Sequence, residues 1–308
     1  MKIVEFFKII VNIFQKFSIG RIPGVVAFAR VIFRILKPGR GSPVLCQDSR
    51  IFIPLRDDDL SRSVYINGVY EPYETELFKR TLCPGMTVID IGANIGYYSL
   101  IASRLVGENG MVYAFEPEPQ NFSYLVKNIN ENKSVNIVPI PKALSDKNGS
   151  CKLFIDDDDL CITSLSNRNV SFFSQGFFRR NLKYIDVQCI SLDAYIAEVI
   201  KDPKKIDIVK IDTEGAEALV VEGADSFLRN CKSSVKIFME FWPLGCKNVG
   251  SDPVLLLDQL RAYGFYINYI DENEKVMRPL DFGTIVKICK ADRILNFFLE
   301  KGTEAAMP

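Results

Sequence analysis

The chain has 308 residues, of which 48% are hydrophobic and 25% charged, so it can bury one sizeable core with an appendage. Its formal net charge is zero, which argues against a general nucleic-acid-binding protein, because such proteins carry a basic excess. It contains no histidine, so Ser-His and Cys-His catalysis are excluded and any general base is Asp, Glu, Lys or Tyr. Eight cysteines without a CxxC pair predict reduced, buried thiols in a cytoplasmic protein.

Residues 1–40 differ in charge from the rest of the chain, since they hold eight Lys or Arg against the single Glu5. Charged residues interrupt the apolar runs, which argues against a transmembrane span. The segment is predicted to form a helical extension over residues 1–45 that packs on the domain or on a second subunit, or else lies peripherally on the inner face of an anionic membrane. Its helical stripe consists of Ile3, Phe6, Phe7, Ile10, Ile13, Phe14 and Phe17.

Residues 46–84 form a lead-in segment of mixed strands and helix. The sequence IFIPL at residues 51–55 is typical of a strand. The sequence VYINGVY at residues 64–70 predicts a hairpin that turns at Asn67-Gly68. The regular part of the domain is expected to begin after this segment.

From residue 85 to residue 290, apolar strand-like runs alternate with amphipathic helices. Such alternation predicts an α/β fold with a doubly wound, mostly parallel sheet. An insertion at about residues 147–190 interrupts the series, and residues 291–308 are predicted to form a C-terminal helix or tail. The predicted strands are TVIDIG, MVYAFEP, VNIVPIPKAL, IDIVKID, VKIFMEFW, FYINYI and TIVKICK, and the predicted helices cover residues 95–106, 121–130, 216–228 and 253–263.

Acidic residues stand near the carboxyl end of each of the first five predicted strands. In a doubly wound sheet these ends meet at the ligand-binding edge. Carboxylates at that edge disfavour a diphosphate and favour a cationic ligand such as S-adenosylmethionine, which has a sulfonium, an ammonium and no phosphate. The acids are Asp90, Glu116, Asp146, Asp212 with Glu214, and Glu240.

The glycine spacing after the first strand also disfavours a dinucleotide. A dinucleotide fingerprint requires GxGxxG, whereas here Asn94 occupies the second glycine position and Tyr97 the last, between and after Gly92 and Gly96. Glu116, further along, is suited to accept both hydroxyls of a ribose.

Between residues 87 and 243 the chain contains, in this order, the motifs DIGANIGYYS, AFEPEPQNF, KALSD, TSL, SLDAY and IDIVKIDTEGAEALVVEGA. In these motifs the chain resembles the FkbM-type class I methyltransferases. The resemblance implies a Rossmann-like fold with a seven-stranded sheet, S-adenosylmethionine as methyl donor, and O-methyl transfer to a hydroxyl of a sugar, a glycan or lipid-linked saccharide, or another small molecule. It also implies that Asp90, Gly92, Asn94 and Gly96 bind the methionine part of the donor, Glu116 the ribose, and Ser145 with Asp146 the adenine edge.

Methyl transfer from a sulfonium requires alignment of the acceptor oxygen, methyl carbon and sulfur, and loss of the hydroxyl proton. Because histidine is absent, Asp212 and Glu214 are the leading candidates for the base and Glu240 is the next. The three carboxylates are alternatively ligands for Mg²⁺, although a metal-free reaction is favoured. Lys210, which shares a strand face with Asp212, is predicted to form a buried ion pair.

The insertion carries paired aromatic and arginine residues within residues 166–184. They suit a saccharide or lipid-linked acceptor over the cofactor crevice, or alternatively close the core as a small hairpin. The alternative function for the whole chain is a catalytically silent cofactor-binding module, attached to a membrane or a partner through the N-terminal helix. The paired residues are Phe172, Phe173, Phe177, Phe178, Arg179 and Arg180.

Overall fold

The computed structural model describes residues 42–54, 59–156, 159–165, 182–291 and 293–301. The helix predicted within residues 1–40 lies outside these ranges, as do the paired aromatic and arginine residues of the insertion. Within the described ranges, no helix is long and apolar enough to cross a lipid bilayer.

Strands and helices alternate through most of the described chain. The strands are β1 (Val44–Cys46), β2 (Ser49–Ile51), β3 (Thr87–Ile91), β4 (Met111–Phe115), β5 (Ile137–Ile140), β6 (Ala143–Leu144), β7 (Gly149–Asp156), β8 (Asp159–Ser164), β9 (Leu182–Ile190), β10 (Ile206–Ile211), β11 (Lys236–Phe241), β12 (Phe265–Asp271), β13 (Val276–Pro279) and β14 (Leu295–Lys301). The α-helices are α1 (Asp59–Asn67), α2 (Pro72–Thr81), α3 (Tyr97–Val106), α4 (Pro119–Glu131), α5 (Leu192–Tyr195), α6 (Glu217–Glu222), α7 (Asp225–Asn230), α8 (Pro243–Asn248), α9 (Pro253–Ala262) and α10 (Phe282–Ala291). A π-helical turn (Ile196–Ile200) and a 3-10 turn (Pro203–Lys205) follow α5.

The central sheet has the order β13-β12-β14-β11-β10-β3-β4-β5. The five strands from β11 to β5 are parallel, whereas β14 is antiparallel to both of its neighbours. This arrangement confirms the doubly wound, mostly parallel α/β sheet. The described sheet has eight strands where seven were expected, because the short β13 pairs with β12 at the edge. The strand order reverses between β3 and β10, so the carboxyl ends of these two strands flank the expected ligand crevice.

Two polar residues interrupt an otherwise apolar face of the sheet. On this face Val88 of β3 and Ile208 of β10 pack with α2, α3 and α4. Two positions further along each strand, where the alternation of a strand predicts apolar side chains, stand Asp90 and Lys210. The parallel register places Asp90 directly opposite Lys210, so their charges lie side by side beneath the crevice.

The insertion forms a sheet of its own. Strands β6, β9, β7 and β8 pair in that order and are not part of the central sheet. Leu153 and Cys189, which are buried, contribute to a small separate core. Strand β6 continues the chain from β5, so the second sheet begins at the crevice edge of the first.

The Asn67-Gly68 pair ends a helix, which corrects the hairpin predicted at residues 64–70. Helix α1 buries Leu60 and Val64, which lie one turn apart. Gly68 has a left-handed φ of 68°, and its N–H donates to the Val64 carbonyl at 3.1 Å. A left-handed glycine ends a helix as readily as it turns a hairpin, so the dipeptide alone did not distinguish the two.

The predicted strand TIVKICK is part of helix α10. The carboxylate of Asp281 accepts the Thr284 N–H at 3.0 Å and caps the start of this helix. Ile285 and Cys289, one turn apart, are buried against the central sheet. The apolar residues of TIVKICK fit both the period of a strand and the period of a helix. The Asp281 cap and the four-residue spacing of Ile285 and Cys289 are typical of the helix.

Strand β14 corrects the helix or tail predicted at residues 291–308. It pairs antiparallel with β11 on one side and β12 on the other, in the interior of the central sheet. The domain predicted to end at residue 290 therefore extends to residue 301.

The single helix predicted over residues 216–228 is two helices, α6 and α7. They are separated at Gly223 and Ala224. A Cβ built on Gly223 would lie 2.0 Å from the carbonyl oxygen of Ser145. Only glycine fits this contact, through which the junction of the two helices packs against the residue that follows β6.

Candidate active site

The loop between β3 and α3 passes close to the end of β10. Gly92, Asn94 and Gly96 have left-handed φ values of 81°, 51° and 91°. A Cβ on Gly92 would lie 1.8 Å from the Asp212 carbonyl oxygen, and one on Gly96 would lie 2.8 Å from Leu125 Cδ1. The backbone contact therefore requires glycine at position 92, whereas at position 96 the left-handed φ favours it. The loop that the two glycines form joins the carboxyl ends of β3 and β10.

Asp90 is buried near the end of β3. Its Oδ2 accepts a hydrogen bond from Ser99 Oγ at 2.5 Å, which ties β3 to α3. Burial raises the pKa of Asp90 to about 6, against the opposing effects of Ser99 and of Lys210. The structure thus gives Asp90 an internal partner, and its contact with the methionine part of the donor stays a prediction.

Glu116 follows β4 and is 3% exposed. Its Oε2 accepts the Asn94 N–H at 2.8 Å, and its Oε1 accepts the Glu118 N–H at 2.9 Å. Burial raises the pKa of Glu116 to about 8, although both N–H bonds lower it. Through Asn94 the carboxylate is attached directly to the glycine loop, and its contact with the ribose stays a prediction.

Ser145 and Asp146 follow β6 where the two sheets meet. Ser145 is buried, its N–H donates to the Ile190 carbonyl at 3.1 Å, and its Oγ donates to Asp146 Oδ1 at 2.8 Å. The side chain of Asp146 is exposed. The pair is held rigidly at the rim of the crevice, and its contact with the adenine stays a prediction.

Three carboxylates meet at the ends of β10 and β11. One carboxylate oxygen from each of Asp212, Glu214 and Glu240 lies within 4.8 Å of the other two. The backbone of Glu214 is left-handed, with a φ of 52°, a conformation that costs a non-glycine residue energy and turns the chain sharply after β10. The Oε1 atom of Glu240 is buried and accepts no hydrogen bond within the described part of the chain.

The pKa of Glu240 is strongly perturbed. Burial raises its pKa well above the ordinary value, and the charges of Asp212 and Glu214 raise it further. Like charges this close cannot all remain ionised at low cost, which favours a proton on Glu240. The structure therefore brings the three base candidates together.

Lys210 lies beneath the cluster and confirms the predicted buried ion pair. It is 1% exposed, and its Nζ lies 3.2 Å from Glu74 Oε1 and 3.2 Å from Asp212 Oδ2. Attraction to these acids raises the pKa of Lys210 despite its burial. The lysine is therefore charged, and it joins α2 to the end of β10.

Glu71 and Glu74 are site acids that the sequence analysis missed. Glu71 Oε1 accepts from Asn296 Nδ2 at 2.8 Å, and its Oε2 accepts from the Tyr98 hydroxyl at 3.0 Å. Burial and the neighbouring Glu74 raise the pKa of Glu71 to about 8. The signal was the motif YEPYETELF, in which two acids stand three residues apart at the start of an amphipathic helix.

Glu217 is a further acid that the sequence analysis missed. It stabilises the turn after β10 through hydrogen bonds. Its Oε1 accepts the Gly215 N–H at 2.8 Å and the Thr213 hydroxyl at 3.0 Å. Burial raises the pKa of Glu217 to about 7. The residue lies within the motif DTEGAE beside Asp212 and Glu214, and the motif alone does not distinguish an acid that stabilises the turn from one that takes part in the chemistry.

The carboxylate cluster can hold a cation as well as accept a proton. Oxygen ligands lie about 2.1 Å from Mg²⁺ and about 2.4 Å from Ca²⁺, so two oxygens on one ion are at most about 4–5 Å apart. One oxygen from each of Asp212, Glu214 and Glu240 lies within 4.8 Å of the other two, which meets the outer limit of this range. The cluster thus suits a sulfonium, an ammonium or a divalent cation, and it disfavours an anionic group.

Comparison with known proteins matches residues 90–267, more than half of the chain, to the family model of the methyltransferase FkbM domain. The methyltransferase sdnD of Sordaria araneosa is 26% identical over 156 residues, which is 45% of this chain. The chain spans 60% of the length of that curated relative. The family match includes the glycine loop, Glu116 and the whole carboxylate cluster, whereas Glu71 and Glu74 precede it.

Two solved structures illustrate the range of similar folds. The precorrin-6y C5,15-methyltransferase of Geobacter metallireducens GS-15 is 15% identical, with a TM-score of 0.40 over 74% of this chain and 86% of that one. Aeropyrum pernix fibrillarin, solved with natively bound S-adenosyl-L-methionine, is 13% identical, with a TM-score of 0.41 over 74% of each chain.

Proposed function

Because the chain belongs to the FkbM methyltransferase family, we propose that it transfers a methyl group from S-adenosylmethionine to a hydroxyl oxygen. The proposed acceptor is a sugar, a glycan or lipid-linked saccharide, or another small molecule. The observation that carries the proposal is the meeting of the Asp212, Glu214 and Glu240 carboxylates beside the glycine loop. A hydroxyl placed among them has hydrogen-bond acceptors on several sides and a base for its proton.

The donor site is supported by the groups around the glycine loop. Each carboxylate oxygen of Glu116 accepts one N–H and has a second lone pair, which suits the two ribose hydroxyls. Ser145 and Asp146 offer polar atoms at the rim for the adenine edge. The loop with Asp90 and Asn94 is assigned to the methionine part, next to the acidic cluster that attracts the sulfonium.

The proposed reaction is a direct displacement. The acceptor oxygen attacks the methyl carbon, the new C–O bond forms as the C–S bond breaks, and the electron pair of that bond returns to sulfur to leave S-adenosylhomocysteine. The hydroxyl proton passes to Asp212, with Glu214 and then Glu240 as the alternative bases. The sulfonium is already activated, so alignment supplies most of the rate and a metal ion is not required.

Charge also restricts the acceptor and its location. The cluster repels phosphate and carboxylate groups, and the zero net charge of the chain gives no basic field for a nucleic acid, so we propose a neutral hydroxyl compound. We propose a cytoplasmic location, with residues 1–40 in contact with a membrane surface or a second subunit. The basic excess of these residues supports either contact.

The test is transfer of labelled methyl groups. The full-length chain is incubated with S-adenosylmethionine that carries a tritiated methyl group and with separate saccharide, lipid-linked saccharide and small-molecule fractions of a cell extract. We expect label in one of these fractions, and mass spectrometry should then show a gain of one CH₂ unit as an ether on oxygen. Label on nitrogen would contradict O-methylation. Tight donor binding with no transfer to any fraction would favour the catalytically silent module.

A further inference from the structure

Lys210 makes more contacts than a structural ion pair needs. Its ammonium lies between Glu74, which is 0% exposed, and Asp212, which is 23% exposed. The ring of Tyr98 lies 4.9 Å from the same nitrogen. One buried carboxylate would neutralise the lysine, so the second contact extends the pair from the core to the edge of the crevice.

The two carboxylates depend on the lysine in different ways. In the described part of the chain, Glu74 has no hydrogen-bond donor besides the Lys210 ammonium, so its charge depends on that one cation. Asp212 instead faces two acids of its own cluster, Glu214 and Glu240, which repel its charge. The attraction of the Lys210 ammonium offsets this repulsion of the Asp212 carboxylate.

We propose that Lys210 is a positioning residue for methyl transfer, which holds the Asp212 carboxylate at the point where it receives the acceptor proton. The inference rests on the proposed role of Asp212. Glu74 holds the ammonium from below, and Lys210 keeps its own proton throughout the reaction. Only the hydroxyl proton moves, to Asp212, while the methyl carbon passes from sulfur to oxygen.

The charged and titratable groups around the lysine come from every element packed against it. Helix α2 contributes Glu74 and the residue before it contributes Glu71. Helix α3 contributes Tyr98, β3 contributes Asp90 and β11 contributes Glu240. All of the ionisable neighbours apart from Lys210 are acids or a phenol. Without the ammonium, the Asp212 carboxylate is therefore expected to turn away from this group, because only acidic and phenolic side chains would remain around it.

A donor analogue reports the placement of Asp212 without an acceptor. Sinefungin carries an amine in place of the S-methyl group, so its ammonium occupies the position from which the methyl group leaves. S-adenosylhomocysteine has neither group. We expect the wild type to bind sinefungin about tenfold more tightly than S-adenosylhomocysteine, the factor that a charge-assisted hydrogen bond provides.

The informative variant is the double substitution Lys210→Met with Glu74→Gln. Lys210→Met alone leaves a buried uncompensated Glu74, whereas the double variant removes one charge of each sign and keeps the side-chain volumes similar. The net charge of the site is unchanged, so a loss of sinefungin preference reports placement and not the overall field. Lys232→Met is the matched control, because Lys232 pairs with Asp207, which lies near the start of β10.

Calorimetric affinities for both analogues decide the proposal. We expect the double variant to lose most of the sinefungin preference while its affinity for S-adenosylhomocysteine stays within about twofold, and Lys232→Met to keep the preference. A preference that survives in the double variant overturns the positioning role. A preference that survives in Asp212→Asn instead shows that Asp212 does not face the methyl group, which overturns the proposed base.

Discussion

Both oxygens of Glu116 accept backbone N–H groups before any ligand binds. A second lone pair on each oxygen is left for the donor, so ribose hydroxyls add hydrogen bonds without displacing any. Burial nevertheless raises the pKa of Glu116 to about 8, so the free protein holds this carboxyl protonated at neutral pH. Full acceptance of two hydroxyls requires the ionised form, and donor binding is therefore coupled to the loss of a proton.

We expect S-adenosylmethionine to bind more tightly as the pH rises from about 6.5 to about 8.5. Calorimetry near pH 7 in two buffers of different ionisation enthalpy should show proton release on binding. Glu116→Gln should abolish this release and weaken binding by roughly 1–3 kcal/mol, because the amide cannot ionise and offers one acceptor oxygen. Glu108→Gln, at an exposed position, is the control. Proton uptake by the wild type would contradict the coupling.

Asp212 is the residue at which the two catalytic schemes differ. A positioned carboxylate base contributes about 10²–10⁴-fold, so Asp212→Asn should slow single-turnover methyl transfer by that order and leave donor affinity nearly unchanged. Wild-type activity should survive EDTA, because alignment and the base suffice in the metal-free scheme. Inactivation of the wild type by EDTA, with recovery on addition of Mg²⁺, would establish the metal scheme instead. Near-normal rates in both Asp212→Asn and Glu214→Gln would assign the role of general base to Glu240 instead.

At the scale of elements, helix α2 is held by a residue that is distant in the sequence. The carboxylate of Glu272, in the turn between β12 and β13, accepts the Glu74 N–H at 2.6 Å and the Tyr73 N–H at 3.1 Å. These are the first free N–H groups of α2, so Glu272 acts as its cap. The helix carries Glu74 and begins directly after Glu71, so the contacts of Glu272 fix the side of the site that faces Lys210.

Glu272→Ala should therefore lower the free energy of unfolding by about 1 kcal/mol, the usual effect of losing a helix cap. Denaturant unfolding measures this loss. Glu274→Ala is a matched control, because Glu274 is exposed in the same turn. Equal stabilities of the two variants would show that the Glu272 contacts contribute nothing to α2.

The elements that could be predicted from the sequence are those in which the apolar residues fit only one periodicity, that of a helix or that of a strand. Strand β3 and helix α4 keep their pattern over whole elements, and they formed close to the expected positions. The failures lie where two patterns fit the same residues, as in TIVKICK, or where a tertiary contact breaks a regular helix, as at Gly223. Strand β14 was missed because its partners in the sheet, and not its own sequence, define it.

The candidate site was predictable as far as strand ends define it. Asp212 and Glu240 stand at corresponding ends of adjacent parallel strands, so their meeting follows from topology alone. Glu71 and Glu74 precede the regular alternation, and the contact of Glu74 with Lys210 joins residues far apart in the sequence. Such a contact depends on how α2 packs, which no local pattern contains.

At the scale of the molecule, buried acids outnumber the buried cations that compensate them among the residues that the structure describes. Burial raises the pKa of Asp90 to about 6, of Glu217 to about 7, and of both Glu71 and Glu116 to about 8. In the unfolded chain these groups ionise near their ordinary values of about 4. Between about pH 4 and about pH 8 the folded chain therefore binds more protons than the unfolded one. The resulting stability is fully present at the acid end of this window and is lost as the pH rises through the folded-state values.

We expect the melting temperature of the ligand-free protein to fall by at least about 5 °C between about pH 5.5 and pH 8.5, because one pKa unit corresponds to about 1.4 kcal/mol. Scanning calorimetry at constant ionic strength measures the fall. Glu116→Gln, which removes one of the titrating groups, should flatten the dependence. A melting temperature that rises with pH would show that these acids are ionised in the folded protein.

Strand β14 enters the sheet between β11 and β12, both of which precede it in the chain. During synthesis these two strands leave the ribosome first, and the space between them has to stay open until residues 295–301 have been made. Until then each presents an unpaired edge, a surface prone to pair with other chains. A nascent chain stalled before residue 295 is thus a candidate client for chaperones and proteases even though every residue of the proposed active site except the partner of Glu71, Asn296, has already been translated.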